Sequence, residues 1–166
     1  MIACCGCGGQ FREVDGPTHY YMQSSPGCWA AYGEVLAREY ADYARFRDIH
    51  RLTVDAFAAQ HPHSSLIQNT RSVGFHLCGL YLMLESDLDA HQANAAMLSV
   101  AAQMAQFLPL PRPANLGAMT VADVYAAIGQ GEHRNAVRRW AAAVWQAWAP
   151  CHGIVRGWVA GIFPGA

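Results

Sequence analysis

His50-Arg51-Leu52-Thr53-Val54-Asp55-Ala56-Phe57-Ala58-Ala59-Gln60-His61-Pro62 is the stretch whose period decides the fold. His50, Val54, Phe57 and His61 fall at i, i+4, i+7 and i+11, so both histidines lie on one apolar stripe of a helix that Pro62 closes. At 1.5 Å per residue the two rings sit roughly 16 Å apart along the axis. One metal ion holding its ligands at about 2 Å cannot take both. The histidines therefore serve opposite ends of whatever this helix packs into.

On the N-terminal side, Ser25-Pro26 supplies an N-cap followed by proline at the first helical position. The pattern predicts a helix from about Pro26 to Tyr43, with Cys28 in its first turn and Trp29, Tyr32, Leu36, Tyr40 and Tyr43 on its apolar face. A break near Arg45 leads into the helix that ends at His61. Beyond it, Leu66, Thr70, Val73, Leu77, Leu80 and Leu84 mark a helix from about Ser65 to Glu85, with His76 beside the stripe. Leu88, His91, Ala95, Leu98, Ala102 and Ala105 mark another from about Asp87 to Phe107, which Pro109, Pro111 and Pro113 turn into an extended crossover. Thr120-Val121-Ala122-Asp123 predicts a capping box with Asp in place of the usual Glu. The chain is helical again from Glu132 through Val137, Trp140, Val144 and Trp148. Pro150 interrupts it, and Cys151-His152 opens a last helix with Val155, Trp158, Val159 and Ile162.

There is no internal repeat and no β-alternation of any length. The fold expected is all-α: an antiparallel helical bundle of about five to six helices over residues 26–166, with an irregular Cys/Gly-rich N-terminal arm over residues 1–25. A chain of 166 residues with 53% hydrophobic content is one ordinary domain, 1–166. No run approaches the ~18 apolar residues of a membrane span. The opening Met1-Ile2-Ala3-Cys4-Cys5 lacks a basic segment followed by an apolar run, so no secretory signal is expected and the cytoplasm is the expected compartment. All 11 basic residues are arginine, yet the formal charge is −1, which gives no bulk electrostatic case for nucleic acid.

With no secretory signal expected, six cysteines argue for thiols or metal ligands rather than a disulfide framework. Cys4-x2-Cys7-Gly8 has the shape of a zinc knuckle, with Cys5 a spare if the knuckle is shifted. Folding the first helix onto the second about Arg45 brings Cys28 level with His61. The expected metal set is Cys4, Cys7, Cys28 and His61, with His19 of Asp15-Gly16-Pro17-Thr18-His19 as the alternative fourth ligand and Zn2+ as the cofactor. Such a site would give the irregular arm an anchor, since metal binding supplies folding free energy. The plainer reading of Cys4 and Cys7 is a pair of free thiols. Cys78 and Cys151 read as packed apolar thiols.

A hairpin centred near His63 places His50 opposite His76 and Asp55 opposite Arg71. The first pairing makes His50 and His76 the candidate catalytic pair, with Asp55, His91 or His152 as further members, for metal-assisted or acid–base chemistry. The second makes Asp55–Arg71 a structural ion pair, because Asp55 points roughly 140° away from His50 on the helix. The plainer reading of the two histidines is core residues bonded to backbone or tyrosine hydroxyls. His63 and His133 read as solvated, and Arg134, Arg138 and Arg139 as a solvated helix face that would also attract an anion.

Several blocks together resemble a bacterial domain family of unknown function: Cys4-x2-Cys7-Gly8, Gly16-Pro17-Thr18-His19-x-Tyr21, Pro26-Gly27-Cys28-Trp29, His50-Arg51-Leu52-Thr53-Val54-Asp55-Ala56, Gln60-His61-Pro62 and Trp145-x2-Trp148-x3-His152-x2-Val155-Arg156-x-Trp158. The resemblance spans nearly the whole chain and implies no established activity. Cys5 stands where that pattern has Pro, and Cys151 where a second His is usual, which weakens any paired-histidine metal site at 151–152. The expectation is a zinc-binding cytosolic protein acting on a small-molecule ligand through metal- or histidine-assisted chemistry. The alternative is a non-catalytic binding or interaction module with a purely structural zinc. No serine triad, phosphate loop or dinucleotide fingerprint argues for another enzyme class.

Overall fold

The structure, a computed structural model, describes residues 1–63, 66–86, 88–128 and 131–163. Among these residues eight α-helices account for most of the chain: α1 (Pro26–Ala41), α2 (Tyr43–Phe46), α3 (His50–Gln60), α4 (Ile67–Leu84), α5 (Ala90–Gln103), α6 (Val121–Ala126), α7 (His133–Ala147) and α8 (His152–Ile162). The helix starts expected at Ser65 and Asp87 lie outside the described residues.

The arm is less irregular than its composition suggests. Two short strands, β1 (Ile2–Ala3) and β2 (Gln10–Phe11), pair antiparallel with Ile2 opposite Phe11. The Cys/Gly run between them is the turn of this hairpin, closed by Cys4 N–H to Gly9 O at 2.8 Å and Gly8 N–H to Cys4 O at 2.9 Å. Strands of two residues are too short to show an alternation, so no sequence period announces them.

Helix α3 is the central element. It buries Leu52, Thr53 and every position from Asp55 to Gln60, the all-round burial of a helix enclosed by others. It packs chiefly against α4 and α7, with α1 along a further side. The far face of α4 carries α5 and α8, while α6 bridges α1 and α7. The helix starts follow local chemistry. Ser25 accepts the Cys28 N–H, with Pro26 at the first position, and opens α1. Thr120 and Asp123 form the expected capping box of α6, and Asp89 with Gln92 makes another on α5.

The crossover between α5 and α6 is fastened by Gln60. Its amide donates to Leu116 O at 2.9 Å and Met119 O at 2.7 Å and accepts from Trp140 Nε1 at 2.9 Å. A fully buried glutamine thus has its amide nitrogen and its carbonyl oxygen both engaged. Some expected faces turn out differently: Tyr40, Tyr43 and Leu98 are exposed, and His133 is buried rather than solvated. The buried stripe of α1 is Cys28, Tyr32, Val35 and Glu39, which puts a carboxylate into the core. No helix among the described residues is long and apolar enough to cross a membrane.

Candidate metal centre and histidine sites

Three separate elements deliver the cysteines and the histidine. The hairpin turn holds Cys4 and Cys7, the first turn of α1 holds Cys28, and His61 is the residue on which α3 ends. Their four ligand atoms all lie within 4.8 Å of one another, a group able to hold a metal ion. Cys7 Sγ stands 3.9 Å from Cys28 Sγ, Cys4 Sγ 3.6 Å from His61 Nε2, and Cys28 Sγ 3.3 Å from the same nitrogen. A tetrahedral ion with metal–sulfur bonds of about 2.3 Å and a metal–nitrogen bond near 2.0 Å has ligand edges of roughly 3.8 and 3.5 Å. These three spacings are close to those edges.

The surroundings aim these atoms. His61 donates Nδ1–H to Phe57 O at 2.7 Å and stacks on the Phe57 ring at 4.0 Å, leaving Nε2 as the free donor atom. Ser25 N–H donates to Cys4 Sγ at 3.3 Å, so the residue that caps α1 also supports a thiolate. Asn69 and the Gln23 amide both donate to His61 O at 3.3 Å. Arg112, from the crossover, donates to Gly6 O at 3.1 Å and Gln23 Oε1 at 3.3 Å and so clamps the arm. Gly6 has no room for a side chain, because a Cβ there would overlap Gln23 O and meet the His61 ring.

All six cysteines are free. The three gathered thiols cannot all ionise without a cation. Hydrogen bonds from Cys28 and then Cys7 stabilise a Cys4 thiolate against the cost of burial and hold its pKa far below the thiol range. Cys28 is held far above that range, first by its bond to Cys4 and then by Cys7 and burial. For Cys7, the bond to Cys28 pulls downward but is outweighed by Cys4 and burial, and the thiol is pushed up to about 12. The trio behaves as one coupled acid, and a divalent ion is what would let all three be thiolates. Exposed Cys5 is outside the group, as is His19, whose ring sits edge-on to Tyr21 at 4.5 Å and beside Trp29 at 5.3 Å.

The other histidines are not where the hairpin register put them. His50 does not face His76. Its Nδ1–H donates to Glu39 Oε2 at 2.7 Å, while Thr53 and His133 donate to Glu39 Oε1 at 2.6 and 2.9 Å. Burial alone would raise the fully buried Glu39, but the bonds from His133, His50 and Thr53 outweigh it and hold its pKa below the usual carboxylate value. His50 keeps one edge towards the surface, flanked by Tyr40 at 4.7 Å and Tyr43 at 5.6 Å.

Asp55 is not the partner of Arg71. Its Oδ1 accepts from His76 Nδ1 at 2.7 Å and its Oδ2 faces Arg51 Nε at 3.7 Å, whereas Arg71 Nε is buried without a hydrogen bond. The physical reason is Gly79. A Cβ there would overlap the Asp55 carboxylate, so the absent side chain lets α3 and α4 close on Asp55, roughly two turns along α4 from the symmetric register. The pair is deep: Asp55 is fully buried and the His76 side chain is 13% exposed. Burial, and then the charge of His76, hold the His19 pKa below its ordinary value. Burial, followed by Glu39, Asp55 and Tyr40, raises the Tyr32 phenol.

His152, a further candidate, stacks on Trp145 at 3.7 Å and hydrogen-bonds its carbonyl, while His91 is exposed on α5. Cys78 and Cys151 are buried and kept protonated by burial. The residues missed from the sequence are Glu39, Thr53, Arg51 and His133. The available signal for Glu39 was its place on the Cys28–Tyr32–Val35 spacing. No signal tied it to His133, 94 positions later.

No curated protein and no solved structure matches the chain. A family profile described as "Family of unknown function (DUF5946)" matches residues 2–149, and the chain belongs to that family.

Proposed function

We propose that this is a zinc-binding helical protein whose Cys4, Cys7, Cys28 and His61 hold one structural Zn2+. The observation that carries the reading is the match between the ligand-atom spacings and a tetrahedral zinc shell built from three sulfurs and one nitrogen. Four protein ligands leave no open position for a water or substrate, which favours architecture over catalysis at the ion. The ion would tie the hairpin, the start of α1 and the end of α3 together, and metal binding would become folding free energy for the arm. A thiolate-rich centre persists best in a reducing compartment, which supports a cytoplasmic place of action.

The test is metal content and ligand type in protein purified without chelator. The expected result is about one zinc per chain, with an X-ray absorption signature of three sulfurs and one nitrogen. It is lost in Cys7→Ser and Cys28→Ser and kept in Cys5→Ser and His76→Ala. Metal-free protein, or zinc retained when Cys7 and Cys28 are both replaced, overturns the reading.

One observation favours a second activity in the same chain, acid–base chemistry on a small-molecule ligand. A buried carboxylate bonded to Nδ1 of a partly exposed imidazole, as in Asp55–His76, fixes the tautomer and leaves Nε2 as the proton acceptor. Turnover on a panel of small esters, amides and phosphoesters, present in the wild type and absent from folded, zinc-loaded His76→Ala, is the expected result. Identical behaviour of the two proteins leaves a binding module with a structural ion.

A further inference from the structure

The end of α1, helix α2 and the start of α7 enclose a pocket of about 140 Å³. Arg38, Arg45 and Arg134 contribute to its wall, with His133 and Asn135 beside them, and no carboxylate lines it. The nearby acids are already engaged. Glu39 lies on the Nε2 side of His133, Asp48 pairs with Arg134 and Arg138, Asp42 accepts the Arg45 amide, and Glu132 accepts from the Asn135 side chain.

Arg38 and Arg45 both lie over the Phe46 ring, at 5.6 and 5.4 Å from its centroid, and neither forms an ion pair among the described residues. Two cations beside one ring with no carboxylate between them in the lining make a positive patch, which a negative ligand would offset. Two buried nitrogens of this pocket also lack hydrogen-bond partners: Arg38 Nε and His133 Nδ1, the latter on a ring only 2% exposed. Buried polar atoms are almost always satisfied; the Arg38 Nε–H can only donate and so lacks an acceptor, while His133, whose Nε2 is bonded to Glu39, keeps Nδ1 unpartnered. The third observation is the start of α7, a 15-residue helix whose N-cap, Glu132, makes no side-chain cap bond among the described residues.

We propose that this pocket binds a tetrahedral oxoanion, as phosphate or as the phosphoryl group of a small metabolite. Arg38 and Arg45 clamp the oxygens, Arg134 forms the rim while paired with Asp48, and His133 keeps its Nε2–H on Glu39. The volume admits one such group and leaves the rest of a metabolite outside. The site is independent of the metal centre, and the same zinc-loaded protein serves to test both.

The experiment is calorimetric titration of full-length zinc-loaded protein at constant ionic strength with inorganic phosphate, with phenyl phosphate, and with acetate as control. Saturable binding of a phosphate species is expected, weakened at least about tenfold by Arg38→Gln or Arg45→Gln and unchanged by Arg139→Gln on the exposed face of α7. A shift of the His133 imidazole nitrogens on titration is the accompanying signature. Tighter binding of phenyl phosphate identifies a phosphorylated metabolite as the source, and equal binding identifies free phosphate. Arg45 is exposed, so its substitution keeps the fold and decides the matter should Arg38→Gln unfold. No saturable binding, or an equal loss in Arg139→Gln, overturns the proposal.

Discussion

His61 Nε2 lies 3.3 Å from Cys28 Sγ, joining the C-cap of one helix to the first turn of another across 33 positions of sequence. His61 ends α3 with its Nδ1 committed to Phe57 O, and Cys28 begins α1 under the Ser25 cap. The ring and the sulfur are therefore held by backbone chemistry before any ion arrives, and the part that an ion would fasten to them is the hairpin that brings Cys4 and Cys7.

That division predicts what metal removal does. Chelation, or Cys7→Ser, should release the arm while leaving α3, α4 and α7 folded. In hydrogen exchange, the amides of Cys4, Gly8 and Gln23 should lose protection, whereas those in the middle of α3 should keep theirs. The melting temperature should fall by about 10 °C or more if the ion contributes several kcal/mol. Uniform loss of protection through the helices would mean that the ion holds the whole core.

Gly79 controls the Asp55–His76 pair, because the carboxylate occupies the space a side chain would take. Gly79→Ala should destabilise the protein by about 1–3 kcal/mol through overpacking and should displace the carboxylate from His76. Imidazole nitrogen NMR of His76 in the variant should resemble that of Asp55→Asn. A Gly79→Ala protein with wild-type stability and an unchanged His76 spectrum would mean that the helices separate without disturbing the pair.

How much of this was legible in the sequence depends on the range of the interaction. Ser25-Pro26, Thr120 with Asp123, and the Pro150 break act over one helical turn, and the structure has a helix boundary at each. The four residues of the metal group could be gathered from the sequence because CxxC is local and because Cys28 and His61 both sit at helix ends, where an error of about one turn still leaves them together. The pairing of His50 with His76 and of Asp55 with Arg71 needed the register of two long helices to better than one turn. A single missing side chain, at Gly79, set that register. His133 was unreadable for a related reason. It opens a helix whose remaining first turn is polar, and only the arrival of Glu39 from α1 gives it a reason to be inside.

Gln60 supplies a test of the crossover. It donates to two carbonyls, Leu116 O and Met119 O, and accepts the Trp140 indole N–H. Gln60→Leu keeps roughly the volume and strands all three partners in the interior, which should cost about 2–4 kcal/mol at roughly 1 kcal/mol or more for each unsatisfied group. Hydrogen exchange near residues 116–119 should accelerate, and the Trp140 indole proton should lose its protection. Stability within about 0.5 kcal/mol of the wild type would show that water replaces the amide at no cost.

Glu39 makes the remaining prediction, on pH. Its pKa in the folded protein lies below the unfolded value of about 4.3. The sign follows: a carboxylate with a depressed folded pKa adds stability that is fully present above the unfolded pKa and is lost as pH falls through the folded one. Glu39→Gln removes the charge that accepts from His50, Thr53 and His133, so at pH 7 it should destabilise the protein by about 3 kcal/mol. Below about pH 4.3 the wild type begins to lose the same contribution and the gap between the two proteins should narrow. Chemical denaturation of both, at a series of pH values from neutral downward, measures this difference directly. A metal lost from the Cys4–Cys7–Cys28–His61 group at low pH would be lost from both proteins. A gap that stays constant down to acid pH would show that Glu39 acts as a neutral hydrogen-bond acceptor and that the charge on this buried carboxylate does not stabilise the fold.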